Sequence, residues 1–294
     1  EQDIRLLANQ LIDDVITQGL CDFNEAFAKP FPTLIFLTLM GWPLEDRPLF
    51  QHWTQTLIKS FDMQTVTDNA RAITTWIRNH IAERRANPGD DFTSYLLASQ
   101  IDGRPLTDDE MLGINFLIFI AGLDTVTSCL GLFFRHLARH PEQQAQLRAN
   151  PELIGDAVEE LLRSYSIVNM RRTVTCDVQV GEATMKKGDM VLISTELANL
   201  DPEVFDEADK VDFQRSAGAS PHMAFSYGVH RCVGSHLARR ELRIAMELWL
   251  QRLPPFRIAD NSTPRFNAFG VFGMEELHLQ WDLPGNTASA QSKQ

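Results

Sequence analysis

Phe225-Ser226-Tyr227-Gly228-Val229-His230-Arg231-Cys232-Val233-Gly234 carries the strongest chemical signal in the chain. A helical pattern opens beside Gly234 and runs through Leu237, Leu242, Ile244 and Leu248. Cys232 therefore sits just ahead of a helix N-terminus. The positive end of that helix and the free amide donors of its first turn favour thiolate over thiol. Gly228 and Gly234 permit tight turns and close backbone approach. A thiolate held by amides on such a loop is a good ligand for haem iron, and the phenylalanine and glycines suit a flat macrocycle. Two other readings stand beside it. Cys232 can be a small buried hydrophobe. Alternatively His222, His230, Cys232 and His236 can hold zinc, although their spacings fit no standard zinc motif.

Three further groups could do chemistry. Ala121-Gly122-Leu123-Asp124-Thr125 places a glycine, an acid and a hydroxyl inside an apolar helical stretch, where each is locally costly. The pair is either a functional site or a helix contact satisfied by hydrogen bonds. Glu160 and Arg163, at i and i+3, share a helix face and form an ion pair, at the surface or within the structure. Arg172 precedes a short strand and is either solvated or an anion binder.

The elements that must position these residues are mostly helical. The longest helix begins at Thr107-Asp108-Asp109-Glu110, a capping box, and continues through 111–134, apolar nearly all round. Asn115, Asp124, Thr125 and Thr127 interrupt it, so it crosses a protein core and not a bilayer. Residues 30–41 are apolar but too short for a span. Leu6, Leu7, Leu11, Ile12, Val15 and Ile16 recur at helical spacing, and further helices are expected over 45–62, 68–86, 92–100, 141–148, 152–166 and 235–251. Short strands are expected at 173–176, 179–180, 190–194 and 277–281, with Lys187-Gly188-Asp189 as a turn. The pattern predicts a mainly α, helix-rich single domain with minor β sheets over 1–282, and a disordered polar tail over 283–294.

Composition excludes several classes. The 294 residues are 44% hydrophobic and 22% charged, values that argue against disorder and fibrous structure. A net charge of −12 would repel nucleic acid. Cys21, Cys129, Cys176 and Cys232 form no C-x-x-C pair, which suits a reducing compartment and a cytoplasmic location. EQDIRLLANQ has no apolar signal core.

Phe225, Gly228, His230, Cys232 and Gly234 fill every fixed position of F-x-x-G-x-H-x-C-x-G, and this loop resembles the haem-binding loop of cytochromes P450. AGLDT, E-x-x-R and Arg172 occur in the order expected for that family. Local phrases such as PFPTLIFLTLMGWPLED, HLARRE and LHLQWD extend the likeness from residue 1 to about 282, towards the soluble bacterial, camphor-hydroxylating type. The resemblance implies a cytochrome P450 fold that begins near the family's fourth main helix, with the N-terminal sheet and substrate-covering loop absent. It implies haem b with Cys232 as axial ligand of the iron. Arg172 and His230 would bind the haem propionates. Thr125 would hydrogen-bond the oxygen being activated, and Asp124 would feed it protons from solvent. Glu160 and Arg163, with Arg215 from a later loop, would be structural.

The same likeness implies a monooxygenase that inserts one atom of O2 into a C–H bond, with electrons from NAD(P)H through a reductase and a 2Fe-2S ferredoxin. Its pocket would use Leu117, Ile120, Ala121, Thr125, Val168, Gly270 and Val271, a small apolar set suited to a terpenoid-like substrate. Met170 and Arg231 depart from the camphor-type pattern, which has an acid and a leucine there. The alternative is a haem-binding or inactive protein on the same fold, without oxygenase turnover.

Overall fold

A computed structural model describes residues 1–215, 222–260, 262–267 and 271–283, and at Lys59 and Asn267 the backbone alone. The α-helices among them are α1 (Gln2–Asp13), α2 (Pro30–Met40), α3 (Arg47–Lys59), α4 (Met63–Ala86), α5 (Phe92–Ala98), α6 (Asp108–Leu123), α7 (Thr125–Arg139), α8 (Pro141–Ala149), α9 (Ile154–Ser164), α10 (Thr195–Asn199) and α11 (Ser235–Arg252). The expected capping box is formed: the Thr107 hydroxyl accepts from the Glu110 amide, and Glu110 Oε2 accepts from the Thr107 amide at 2.8 Å.

Two apolar cores organise the helices. In one, α1, α7, α9 and α11 close around Phe23, Phe27, Phe134 and Trp249, whose rings lie 4.3–5.7 Å apart in stacked and edge-on pairs. Burial of each such side chain contributes about 1.5–3 kcal/mol. In the other, α2, α3, α4 and α6 meet around Trp42, Phe50 and Phe119.

One expectation needs correction. The apolar stretch after Thr107 is not one helix, because it breaks at Asp124, which ends α6 and precedes α7. Hydroxyl groups compete there for helix carbonyls. Thr125 donates to the Ala121 carbonyl at 3.0 Å, and Thr127 donates to those of Ala28 and Leu123 at 2.9 and 3.1 Å. Taken together, Asp108–Arg139 is long and apolar enough to cross a bilayer, yet 56% of its most apolar window is buried within the protein.

Strands are short and antiparallel. His278–Trp281 lies between Leu20–Asp22 and Phe256–Ile258, joining the two ends of the described chain. Asn169–Thr173 pairs with Met190–Ser194. The strand expected at 173–176 is therefore displaced towards the N-terminus; its actual sequence, NMRRT, has no apolar alternation to announce it. The expected tail from 284 onward lies outside the described residues.

Candidate active site

The loop ahead of α11 is closed by the Cys232 amide, which donates to the Phe225 carbonyl at 2.9 Å. Between them, Gly228–His230 form a single 3-10 turn. Gly228 takes a φ of +72°, which a side chain would strain, and Ser226 accepts that strain at +59°. Gly234 is the N-cap of α11, and no side chain caps the first turn. The free amides of that turn start beside Cys232, which is exposed. A β-carbon on Gly234 would lie 3.9 Å from Sγ.

These surroundings fit a haem held by one protein sulfur. Val229 and Val233 are almost fully exposed on the loop, and Leu117 is 66% exposed on α6. Gly113, Leu117 and Ala121 form an exposed stripe at i, i+4 spacing, while Met111, Asn115, Phe119 and Leu123 face the core. Exposed valines on the loop that carries a lone thiol suit a flat, largely apolar group. Among the described residues, no three His, Cys, Asp or Glu side chains gather into a metal-binding group, so the zinc alternative has no geometry behind it.

Beneath the loop, Glu160 and Arg163 are buried and joined by two hydrogen bonds of 2.8 Å. Arg215 Nε reaches both Glu160 oxygens at 3.0 and 3.1 Å, and the Asp212 amide adds a third donor. Burial alone would raise the Glu160 carboxyl, but these donors hold it below the usual carboxylate range. Arg163 also donates to the carbonyls of Asn199, Ala208 and Lys210. The resemblance-based grouping of Glu160, Arg163 and Arg215 is thus realised in space.

Asn199, not singled out from the sequence, carries this network to the loop. Its backbone carbonyl accepts from Arg163 at 2.7 Å, while its side-chain oxygen accepts from the Met223 amide at 2.6 Å. Only its position between two distant partners reveals it, because nothing in LANLD marks an asparagine as structural. Glu159 was hidden in the same way beside Glu160; it meets Arg239 and His222.

Thr125 and Asp124 sit half-buried at the break between α6 and α7. Asp124 also lines a recess with Lys29, Gln51, Gln55, Thr127 and Ser128. Val168 and Val271 are brought together in an antiparallel bridge, supported by the Phe272 amide donating to the Ile167 carbonyl at 2.9 Å. Ile120 is half-buried on α6. Gly270 lies outside the described residues. Arg172 is half-buried, with Nη1 on the Arg171 carbonyl and Nη2 3.9 Å from the Met170 sulfur. His230 is exposed.

A helix-rich frame with this loop ahead of α11 is shared with known proteins. The cytochrome P450 family profile matches residues 38–281, and the chain belongs to that family, whose members are haem b oxidoreductases. Among its relatives, probable cytochrome P450 127A1 of Sinorhizobium fredii is 36% identical over 282 residues, covering 96% of this chain and 67% of the relative. Steroid C26-monooxygenase of Mycobacterium tuberculosis is 36% identical over 287 residues, covering 94% of this chain and 77% of the relative. The solved structure of cytochrome P450 PksS of the Bacillus subtilis bacillaene polyketide synthase has a TM-score of 0.90 at 32% identity, covering 96% of this chain and 74% of that one.

Proposed function

We propose that this chain is a haem-thiolate monooxygenase in which Cys232 ligates the iron and a small apolar, terpenoid-like molecule is hydroxylated. The observation that carries the reading is Cys232 itself, exposed on a closed loop beside the uncapped first turn of α11. Haem, when bound, supplies O2 activation and insertion of one oxygen atom into a C–H bond. The chain's own residues do the rest. The free amides and positive end of α11 lie beside the sulfur and would complement the negative charge of an iron-bound thiolate. Arg172, which forms no ion pair among the described residues, has charge to offer the haem propionates, and His230 has a ring N–H to donate to them. Phe225, Gly228 and Gly234 shape the loop around the sulfur.

Asp124 and Thr125 handle protons at the break in the helix. Asp124 lines a polar recess with Lys29, Gln51 and Gln55, which supports a role in moving protons inward from solvent. Thr125, whose hydroxyl donates to the Ala121 carbonyl, would turn or share that bond to pass a proton onward. Leu117, Ile120, Ala121, Val168 and Val271 would supply the apolar pocket; Gly270, expected with them, lies outside the described residues. The two relatives with printed substrates act on a steroid and in polyketide synthesis, so apolar carbon skeletons are common ground. Electrons come from NAD(P)H through a reductase and a 2Fe-2S ferredoxin, in a cytoplasm that suits four free cysteines.

The ferrous–carbon monoxide difference spectrum of the haem-loaded protein tests the reading. The long-wavelength Soret band of thiolate ligation is expected, and it should vanish in Cys232→Ser. A band that survives the substitution sinks the assignment. The expected band without product from O2 and reductant would favour a haem protein that does not turn over.

A further inference from the structure

Glu159 and Glu160 are adjacent on α9, yet they hold different parts of the chain. Glu160 ties the segment through Asp212 and Arg215. Glu159 instead accepts two hydrogen bonds from Arg239 on α11, Nε to Oε1 at 2.6 Å and Nη2 to Oε2 at 2.9 Å. That fork fixes the guanidinium plane, and its central carbon lies 4.4 Å from the centre of the Phe225 ring. The Phe225 carbonyl in turn accepts the Cys232 amide.

His222 braces the same arrangement from the loop side. The Ala224 amide donates to Nδ1 at 3.3 Å, which places the ring proton on Nε2, donating to Glu159 Oε2 at 3.1 Å. Burial would raise the Glu159 carboxyl, but the bonds from His222 and Arg239 hold it at about 2, so it is ionised at neutral pH. Glu159 and Arg239 therefore largely cancel each other's charge. What they add to the loop is geometry: a planar group of fixed orientation against one face of Phe225.

We propose that Arg239 and Glu159 are positioning residues that hold the Phe225 ring, and through its carbonyl the Cys232 ligand loop, so that they set the reduction equilibrium of the haem iron. This rests on Cys232 as the ligand. A loosened Phe225 weakens the Cys232 amide bond and changes how much negative charge the sulfur carries, which shifts the iron between its oxidised and reduced forms.

The test is spectroelectrochemical titration of the haem-loaded protein, with no turnover required. Arg239→Gln should change the ratio of reduced to oxidised iron at fixed potential by about threefold or more, which is about 28 mV for a one-electron couple. Arg239→Lys keeps the charge but neither the fork nor the stacking plane, so it should shift the ratio as far as Arg239→Gln does. Glu159→Gln should shift it in the same direction. In a Phe225→Leu background, Arg239→Gln should have no further effect.

A wild-type ratio in Arg239→Lys overturns the proposal, because charge alone then suffices. An equal shift with and without Phe225 also overturns it, because the arginine then acts by another route. If Arg239→Gln fails to hold haem, the lysine variant and Glu159→Gln carry the same comparison. Loss of the thiolate band from the wild-type protein would instead remove Cys232 as ligand, a failure distinct from an unshifted ratio in a protein that shows the band.

Discussion

The hydroxyl of Thr125 is bonded to the carbonyl of Ala121 at 3.0 Å, across the point where α6 gives way to α7. The hydroxyl is thus engaged with the preceding helix, one residue beyond the acid that lines the polar recess. For it to serve a bound oxygen molecule, it must rotate or share that bond.

Asp124→Asn should lower product formation by about 10²-fold, the lower end of what a positioned proton donor contributes. Thr125→Ala should leave reductant consumption running while diverting it from product to hydrogen peroxide. Product, peroxide and reductant measured together check both. Unchanged product in Asp124→Asn would remove the acid from the proton path.

Gly122 is required by packing. A β-carbon there would lie 2.9 Å from the Phe36 ring, which is buried on α2. Gly122→Ala should destabilise the protein by about 1–3 kcal/mol through overpacking. Urea unfolding measures it, and a loss within error would show that Phe36 moves aside freely.

Arg163→Ala should cost at least about 1–3 kcal/mol, because it frees three buried backbone carbonyls and leaves the Glu160 carboxylate to Arg215 and the Asp212 amide. Haem retention should fall as well, since Asn199, which holds the loop through the Met223 amide, loses the Arg163 bond to its own carbonyl. Chemical denaturation and haem loss to an apoglobin acceptor give the two readings.

Glu241 predicts a pH dependence of the opposite sign to that of a salt-bridged acid. It is buried on α11, its Oε2 has no hydrogen-bond partner among the described residues, and burial pushes its carboxyl well above the usual range. The folded state therefore holds a proton that the unfolded chain releases above the ordinary value near 4.5. Stability falls as pH rises from there towards the raised folded value. Glu241→Met should abolish that slope, so urea midpoints at pH 5 and pH 8 should differ less in the variant. Equal differences in both proteins would show that Glu241 finds a partner when it ionises.

The sequence was most informative where a local rule acts alone. Thr107 and Glu110 announce their capping box, and Cys232 its place before a helix, because each needs only near neighbours. It was least informative where the partner is remote. Leu20–Asp22 is a strand only because His278–Trp281 lies beside it. The polar residues at 124, 125 and 127 stand out in the apolar stretch, but the break at Asp124 does not, since the hydroxyl-to-carbonyl bonds beside it depend on the fold. Gly122 reads as a functional oddity until Phe36 is placed against it. Glu159 and Glu160 have one chemistry and adjacent positions, and only the fold shows that they serve different loops.

The two sides of α6 have separate fates under mutation. Met111, Asn115, Phe119 and Leu123 are locked into the interior, so drift at those positions unfolds the protein. Leu117 and Ala121, on the opposite side, hold nothing together and can be exchanged at little thermodynamic risk. If this side of α6 lines the substrate pocket, as proposed, natural selection can retune what such a chain accepts without reopening the question of whether it folds. Lineages that share this frame are free to diverge in diet while remaining almost identical in skeleton.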